Sequence, residues 1–258
     1  MGKNKSITIE ETFNLAVKNH QEGKTDIAQE LYDRVLKLDP FQIDPNYPKA
    51  LNNIAVIYKN LKDYQKAKKC YKKAIAINPN FADAHNNLGA IFKELGENQK
   101  AKDCYEKVIK INPNDISSHN NLGVIFQELK EYQKAKDCYE KVIKINPNHA
   151  VLHNNLGIIY IELGQNQKAK YCFEKAIEIN PNYALAYKSL GVLFETIKEM
   201  KKAGDCYKKA LEIDPLNKEY MTAYGNILLF LNDKFKGHEY LKKGQGVIKF
   251  TPLYSRII

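Results

Sequence analysis

The sequence predicts an all-α solenoid of antiparallel helix pairs, and three observations predict it. Pro79, Pro113, Pro147, Pro181 and Pro215 stand 34 residues apart. Gly89, Gly123, Gly157, Gly191 and Gly225 keep the same step. So do Ala67, Ala101, Ala135, Ala169 and Ala203, each followed four residues later by an aromatic, Tyr71, Tyr105, Tyr139, Phe173 and Tyr207. A period of this length marks one supersecondary unit repeated along a stack. The composition agrees: of 258 residues, 44% are hydrophobic, enough for a core, while 9 prolines and 13 glycines are too few for collagen or linker.

Residues 9–47 hold the first helix pair, with Leu15, Ala16, Ala28, Tyr32, Val35 and Pro40 in register. Pro40 lies 39 residues before Pro79, so five residues are inserted near Phe41–Pro48. Pro40, Pro45 and Pro48 predict a stiff, irregular connection there. Residues 48–217 are five regular units. In the block 82–115, a first helix over about 82–95 carries Ala84, Leu88, Phe92 and Leu95 at helical spacing. Gly96-Glu97-Asn98 turns the chain, and a second helix over about 99–111 buries Ala101, Tyr105, Val108 and Ile109. Pro113 ends it by excluding the α conformation from Asn112. Gly89 and Ala101 let the two helices cross closely, and the aromatics fill the space beside the crossing. Residues 218–245 keep Tyr224-Gly225 and Leu228 and form a degenerate capping pair. Residues 246–258 form an apolar tail outside the period. Gly244 and Gly246 are expected to break the helix before that tail.

The pattern Leu88-Gly89, Phe92, Ala101, Tyr105, Val108 and Pro113 resembles the tetratricopeptide repeat. It recurs as Leu122-Gly123, Phe126, Ala135, Tyr139, Val142 and Pro147, and as Leu156-Gly157, Tyr160, Ala169, Phe173, Ala176 and Pro181. In block 48–81, Ala55 replaces the glycine. The resemblance implies a right-handed superhelix whose first helices line a concave groove for peptides. It also implies a non-enzymatic protein-interaction scaffold, with a second reading as the recognition arm of a larger glycosyltransferase- or oxygenase-like enzyme.

Columns of residues 34 apart show what each face could do. Asn53, Asn87, Asn121 and Asn155 form one column, doubled by Asn52, Asn86, Asn120 and Asn154. Asparagine is a mediocre helix former, so paired asparagines in mid-helix ask for a reason. An amide both donates and accepts, so a row of amides can pair with an extended backbone of any sequence. This resembles the asparagine ladder of superhelical tetratricopeptide regions, although repeat duplication would copy a neutral column just as faithfully. Ala90, Val124, Ile158 and Val192 give the groove an apolar floor, and Glu94, Glu128 and Glu162 add a row of acid. Lys59 and Lys93 occupy a column that continues as Gln127, Ile161 and Glu195. Val56 and Ala90 stand where the chaperone-tail clamp of the family needs asparagine, which argues against that ligand.

All five cysteines share one column, Cys70, Cys104, Cys138, Cys172 and Cys206. Equivalent helices lie roughly 10 Å apart, too far for a disulfide or a shared zinc. The column reads as soft packing residues in a reducing compartment. The same spacing denies a shared metal to His85, His119 and His153, so no cofactor is expected. No nucleotide-binding, metalloprotease or nucleophile-elbow motif is present.

The formal charge is +10, but residues 82–183 hold 13 basic and 13 acidic side chains. The excess sits in 48–81, where Lys66, Lys68, Lys69, Lys72 and Lys73 read as a solvated face without base-stacking aromatics. No specific nucleic-acid binding is expected. Neither is a membrane span. The first residues lack an apolar leader, and the cytoplasm is the expected compartment. Val247, Ile248, Phe250, Leu253, Tyr254, Ile257 and Ile258 suit the tail to fold back on the last pair or to mediate self-association.

Overall fold

The structure, a computed structural model, describes residues 8–38 and 44–245. The tail at 246–258 and the segment 39–43 lie outside the described residues. Fourteen α-helices and no strand are found among the described residues. They are α1 (Ile9–Gln21), α2 (Thr25–Leu38), α3 (Asn46–Asn60), α4 (Tyr64–Ile77), α5 (Ala82–Glu94), α6 (Asn98–Ile111), α7 (Ile116–Glu128), α8 (Tyr132–Ile145), α9 (Ala150–Glu162), α10 (Asn166–Ile179), α11 (Ala184–Thr196), α12 (Met200–Ile213), α13 (Lys218–Phe230) and α14 (Lys234–Gln245).

Two compact units divide the chain, 1–125 and 126–258. In the first, α1 packs on α2, α3 on α4 and α5 on α6, and each second helix packs on the next pair through α2–α3 and α4–α5. The first helices also touch, α1 with α3 and α3 with α5. The second unit repeats the scheme with α9–α10, α11–α12 and α13–α14, linked through α8–α9, α10–α11 and α12–α13, and with α9 against α11. Within each unit, therefore, successive first helices stand side by side.

The periodic residues make the core. Ala28, Ala67, Ala101, Ala135, Ala169 and Ala203 are all 0% exposed, and Tyr32, Tyr71, Tyr105, Tyr139, Phe173 and Tyr207 are at most 1%. Burying a side chain of this size contributes roughly 1.5–3 kcal/mol. A Cβ on Gly157 would stand 2.5 Å from the Phe173 ring, so the glycine is what lets the aromatic in. One apolar column missing from the sequence pattern, Ile57, Ile91, Ile125, Ile159 and Leu193, is also buried. Leu95, expected in the core, is the C-cap of α5 and 41% exposed; Leu61 and Leu129 in its column are exposed too. Leu15 is 43% exposed, with no second helix packed over it among the described residues.

Helix ends follow local chemistry. Asn78, Asn112, Asn146 and Asn180 adopt φ between −123° and −136° at the C-caps, as the following proline requires. Asn78, Asn112 and Asn180 each accept through Oδ1 from the backbone N–H two residues on. Each histidine of the column ties this turn to the next helix. His85, His119 and His153 place Nε2 2.8–3.0 Å from the carbonyls of Pro79, Pro113 and Pro147. The inter-helix turns pass through left-handed backbone at Lys62, Gly96, Lys130, Gly164, Lys198 and Asn232.

Two expectations from proline and glycine change. Pro48 lies in the first turn of α3, which starts at Asn46, and not in an irregular connection. A proline is tolerated there because the first-turn N–H groups have no helical partner. Gly244 lies inside α14. A Cβ there would meet Thr222 Oγ1 at 2.5 Å, and one on Gly237 would meet Leu229 at 2.6 Å. Both glycines bring α14 close to α13.

Candidate functional site

The first helices expose one stripe each, at positions i, i+3 and i+7, which share a helix face. On α5 it comprises Asn87, Ala90 and Glu94; on α9, Asn155, Ile158 and Glu162. Asn53, Asn87, Asn121 and Asn155 are half-buried, as are Ala90, Val124, Ile158 and Val192. Because α3 touches α5 and α9 touches α11, stripes from consecutive repeats adjoin within a unit.

The doubled column lies deeper. Asn52 is 7% exposed and Asn154 0%, while Asn86 and Asn120 are half-buried. Neither amide atom of Asn154, nor Oδ1 of Asn86, finds a hydrogen-bond partner among the described residues. These amides face the neighbouring helix more than solvent.

In the first unit the amides are linked to one another. Asn87 Nδ2 donates to Asn52 Oδ1 of the preceding repeat at 3.1 Å. Asn52 Nδ2 donates to Asn53 Oδ1 at 3.2 Å, and Asn53 Nδ2 to the Tyr32 hydroxyl at 3.1 Å. In the second unit Asn155 hydrogen-bonds the Tyr139 hydroxyl. Core tyrosines thus anchor the half-buried amides from below. Burial, the larger cause, raises the Tyr32 phenol above its ordinary range, and the amide of Asn53 opposes it.

The acidic row is anchored as well. Lys59 Nζ lies 3.8 Å from Glu94 of the next repeat. The Tyr64 hydroxyl donates to Glu94 and that of Tyr132 to Glu162, which pushes both phenols up. Lys93 is half-buried and Glu128 exposed on the same helix ends. In the second unit the stripe of α11 opens into a cavity of about 500 Å³ against α13, lined by Lys188, Val192, Glu195, Thr222, Ala223 and Asn226. Lys188 pairs with Glu219 at 2.8 Å. Val192 and Glu195 belong to the columns read from the sequence, but Lys188, Thr222, Ala223 and Asn226 escape the motif because the Asn column ends at Asn155 and continues as Ser189 and Ala223. Their place in the 34-residue columns was the available signal.

None of the cysteines is in a disulfide; Cys104, Cys172 and Cys206 are buried and Cys70 and Cys138 half-buried. Burial raises the Cys104 thiol to about 11 and those of Cys172 and Cys206 to about 12. They are packing groups, not nucleophiles. Among the described residues no group of three His, Cys, Asp or Glu side chains could hold a metal ion, and no helix is long and apolar enough to cross a membrane.

On α4, Lys66, Lys69, Lys72 and Lys73 are exposed, as a solvated face requires, and two of them also lie against aromatics. Lys66 stands 5.3 Å over the Tyr58 ring, and Lys73 donates to the Tyr47 hydroxyl at 2.8 Å. The first contact is periodic: Lys100 lies over Phe92, Lys134 over Phe126, Lys168 over Tyr160 and Lys202 over Phe194, at 5.4–5.6 Å. Each such pair contributes roughly 0.5–1 kcal/mol at an exposed site, which is why a lysine recurs in every regular repeat.

Two tetratricopeptide repeat profiles match the chain, one over residues 48–81 and 82–115 and the other over 114–182 and 150–215. The chain belongs to the tetratricopeptide repeat family. The uncharacterized protein ycf37 of Pyropia yezoensis is 45% identical to this tetratricopeptide protein over 55 residues, 21% of this chain and 28% of that protein. The match therefore spans less than a third of that relative's length. The crystal structure of MamA is similar with a TM-score of 0.60 and 27% identity, over 63% of this chain and 95% of that one. YrrB, described as a TPR protein with an unusual peptide-binding site, has a TM-score of 0.55 and 22% identity, over 68% of this chain and 91% of that one, and shows the fold alone. The fold is the tetratricopeptide scaffold of stacked antiparallel helix pairs.

Proposed function

We propose that the first-helix stripe of each unit holds an extended peptide segment of a partner protein. Asn53, Asn87, Asn121 and Asn155 contact the peptide backbone; Asn52 sets the orientation of Asn53 and Asn87 from behind, and Asn86, Asn120 and Asn154 line the same seam beside them. Lys59, Lys93, Glu94, Glu128 and Glu162 bias the choice of side chains. What supports this reading most is the hydrogen-bonded run from Asn87 through Asn52 and Asn53 to Tyr32. It holds the exposed amides in place before a ligand arrives, and each amide has more donors and acceptors than these bonds use. Five cysteines, none in a disulfide, support action in a reducing compartment such as the cytoplasm.

The test is the variant Asn87→Ala/Asn121→Ala/Asn155→Ala, measured against an unbiased array of extended peptides and the partners it identifies. Each lost amide contact is expected to weaken binding by roughly 0.5–1.5 kcal/mol. Because Asn87 and Asn155 also bond within the fold, circular dichroism must show the variant folded at the assay temperature. Binding as tight as that of the unaltered chain would reduce the ladder to copied sequence.

A further inference from the structure

We propose that a crevice between α8, α9 and α10, on the side opposite the amide stripe, docks a partner-protein segment that presents a large apolar side chain flanked by carboxylates. The crevice has a volume of about 550 Å³. Among its lining residues, Leu156 and Tyr160 are buried, Ile143 and Lys175 half-buried, and Lys168 and Tyr171 exposed. All belong to the second unit, and none lies on the groove stripe.

Two substitutions in the repeat distinguish this crevice from its counterpart: Tyr171 stands at the position of Asp103, and Glu140, at its edge, at the position of Lys72. In the first unit the equivalent crevice is about 370 Å³ and contains Asp103 between Lys72 and Lys107. The column of Asp103 reads Lys69, Asp103, Asp137, Tyr171 and Asp205. At Tyr171 alone a charged residue gives way to an aromatic, and that aromatic is 65% exposed. The exchange removes the carboxylate that would repel an acidic ligand and adds a ring face beside the apolar Ile143 and Leu156. In the following repeat Tyr187 replaces the histidine at the position of His153, so the site is not repeated there in the same form.

The charges favour an acidic partner. Lys168 lies over the Tyr160 ring at 5.4 Å. Lys175 pairs with Glu178 at 2.8 Å, but this is an exposed pair one helical turn long, which an incoming carboxylate can displace at small cost. No acid lines the crevice among the described residues; Glu140 beside it accepts from the Tyr160 hydroxyl at 2.7 Å and lies 4.0 Å from Lys136, and Glu174 lies 3.6 Å from Lys170. Tyrosine is among the residue types enriched at the energetic centres of such contacts, since a rigid ring gives large contact area and a hydroxyl.

The experiment uses the full chain and a labelled peptide with one Phe between two pairs of Asp. Controls carry Ala for the Phe, or Lys for the Asp residues. Fluorescence anisotropy should show the Phe–Asp peptide binding about tenfold or more tighter than either control, with affinity falling as salt rises. Tyr171→Asp restores the residue type of the column, so the fold tolerates it, and it should weaken binding about tenfold or more. Asn155→Ala, on the groove stripe, should leave binding unchanged. No binding by the Phe–Asp peptide, or equal binding by Tyr171→Asp, overturns the proposal. So does a loss with Asn155→Ala as large as with Tyr171→Asp, which would put the peptide in the groove.

Discussion

Lys62, Lys130 and Lys198 occupy left-handed backbone at φ 61°, 58° and 63°, where Gly96 and Gly164 hold the same turn without strain. An L side chain there costs roughly 1–2 kcal/mol, against which glycine's larger unfolded-state entropy takes back part. Lys130→Gly is therefore expected to stabilise the chain by about 0.5–1 kcal/mol, and Gly164→Ala to destabilise it by about 1 kcal/mol. Urea unfolding of both variants checks the sign. A Lys130→Gly protein no more stable than the unaltered chain would show that the lysine side chain contributes something the turn alone does not explain.

At the scale of elements, the helix pairs depend on close crossings and on uncharged thiols. Gly157→Ala drives a methyl group to 2.5 Å from the Phe173 ring. It should cost roughly 1–3 kcal/mol through forced repacking, and Gly157→Ala with Phe173→Leu should recover part of that loss. The thiols set a pH limit. In the unfolded chain they ionise near 9; folded, Cys104 does so at about 11 and Cys172 and Cys206 at about 12, chiefly through burial. Folded values raised in this way mean that the stabilisation is complete below pH 9 and is lost as pH climbs toward 11–12. The urea midpoint should hold level from pH 7 to about 8.5 and fall above 9. Replacing Cys104, Cys172 and Cys206 by Ala should flatten that decline; an unchanged slope would assign it to the buried tyrosines.

Across the whole molecule, stability is a sum of pair and neighbour terms, so opening should begin where neighbours are missing. Among the described residues the first pair exposes Leu15, Ile27 and Leu38, and the last exposes Phe230 and Phe235. Hydrogen exchange is expected to be fastest in α1, α2 and α14, and slowest in the regular repeats. Uniform protection from α1 to α14 would contradict a nearest-neighbour stack.

The helix pairs were legible in the sequence because period and punctuation are local. Pro113 ends a helix through its own ring, and the spacing of Ala101 and Tyr105 puts both on one face whatever surrounds them. That is why α5 and α6 begin and end within one residue of their expected bounds. The stripe of Asn87 and Asn155 could be read from the same columns. What the columns could not say is how deep each amide lies, since Asn154 and Asn155 are adjacent in sequence and differ only in what the neighbouring repeat places over them. Likewise Leu95 and Leu88 have the same hydrophobicity, but only one meets another helix. The anchoring of Asn53 on Tyr32 joins residues 21 apart in sequence, and that of Asn87 on Asn52 joins residues 35 apart. The histidine latches on proline carbonyls and the lysines over aromatic rings depend on side-chain directions that tertiary packing selects. Tyr171 makes the same point. The sequence by itself determined that an aromatic breaks an otherwise charged column. Only the tertiary structure decided that this ring borders a crevice, because α8 and α9 had to supply Ile143 and Leu156 beside it.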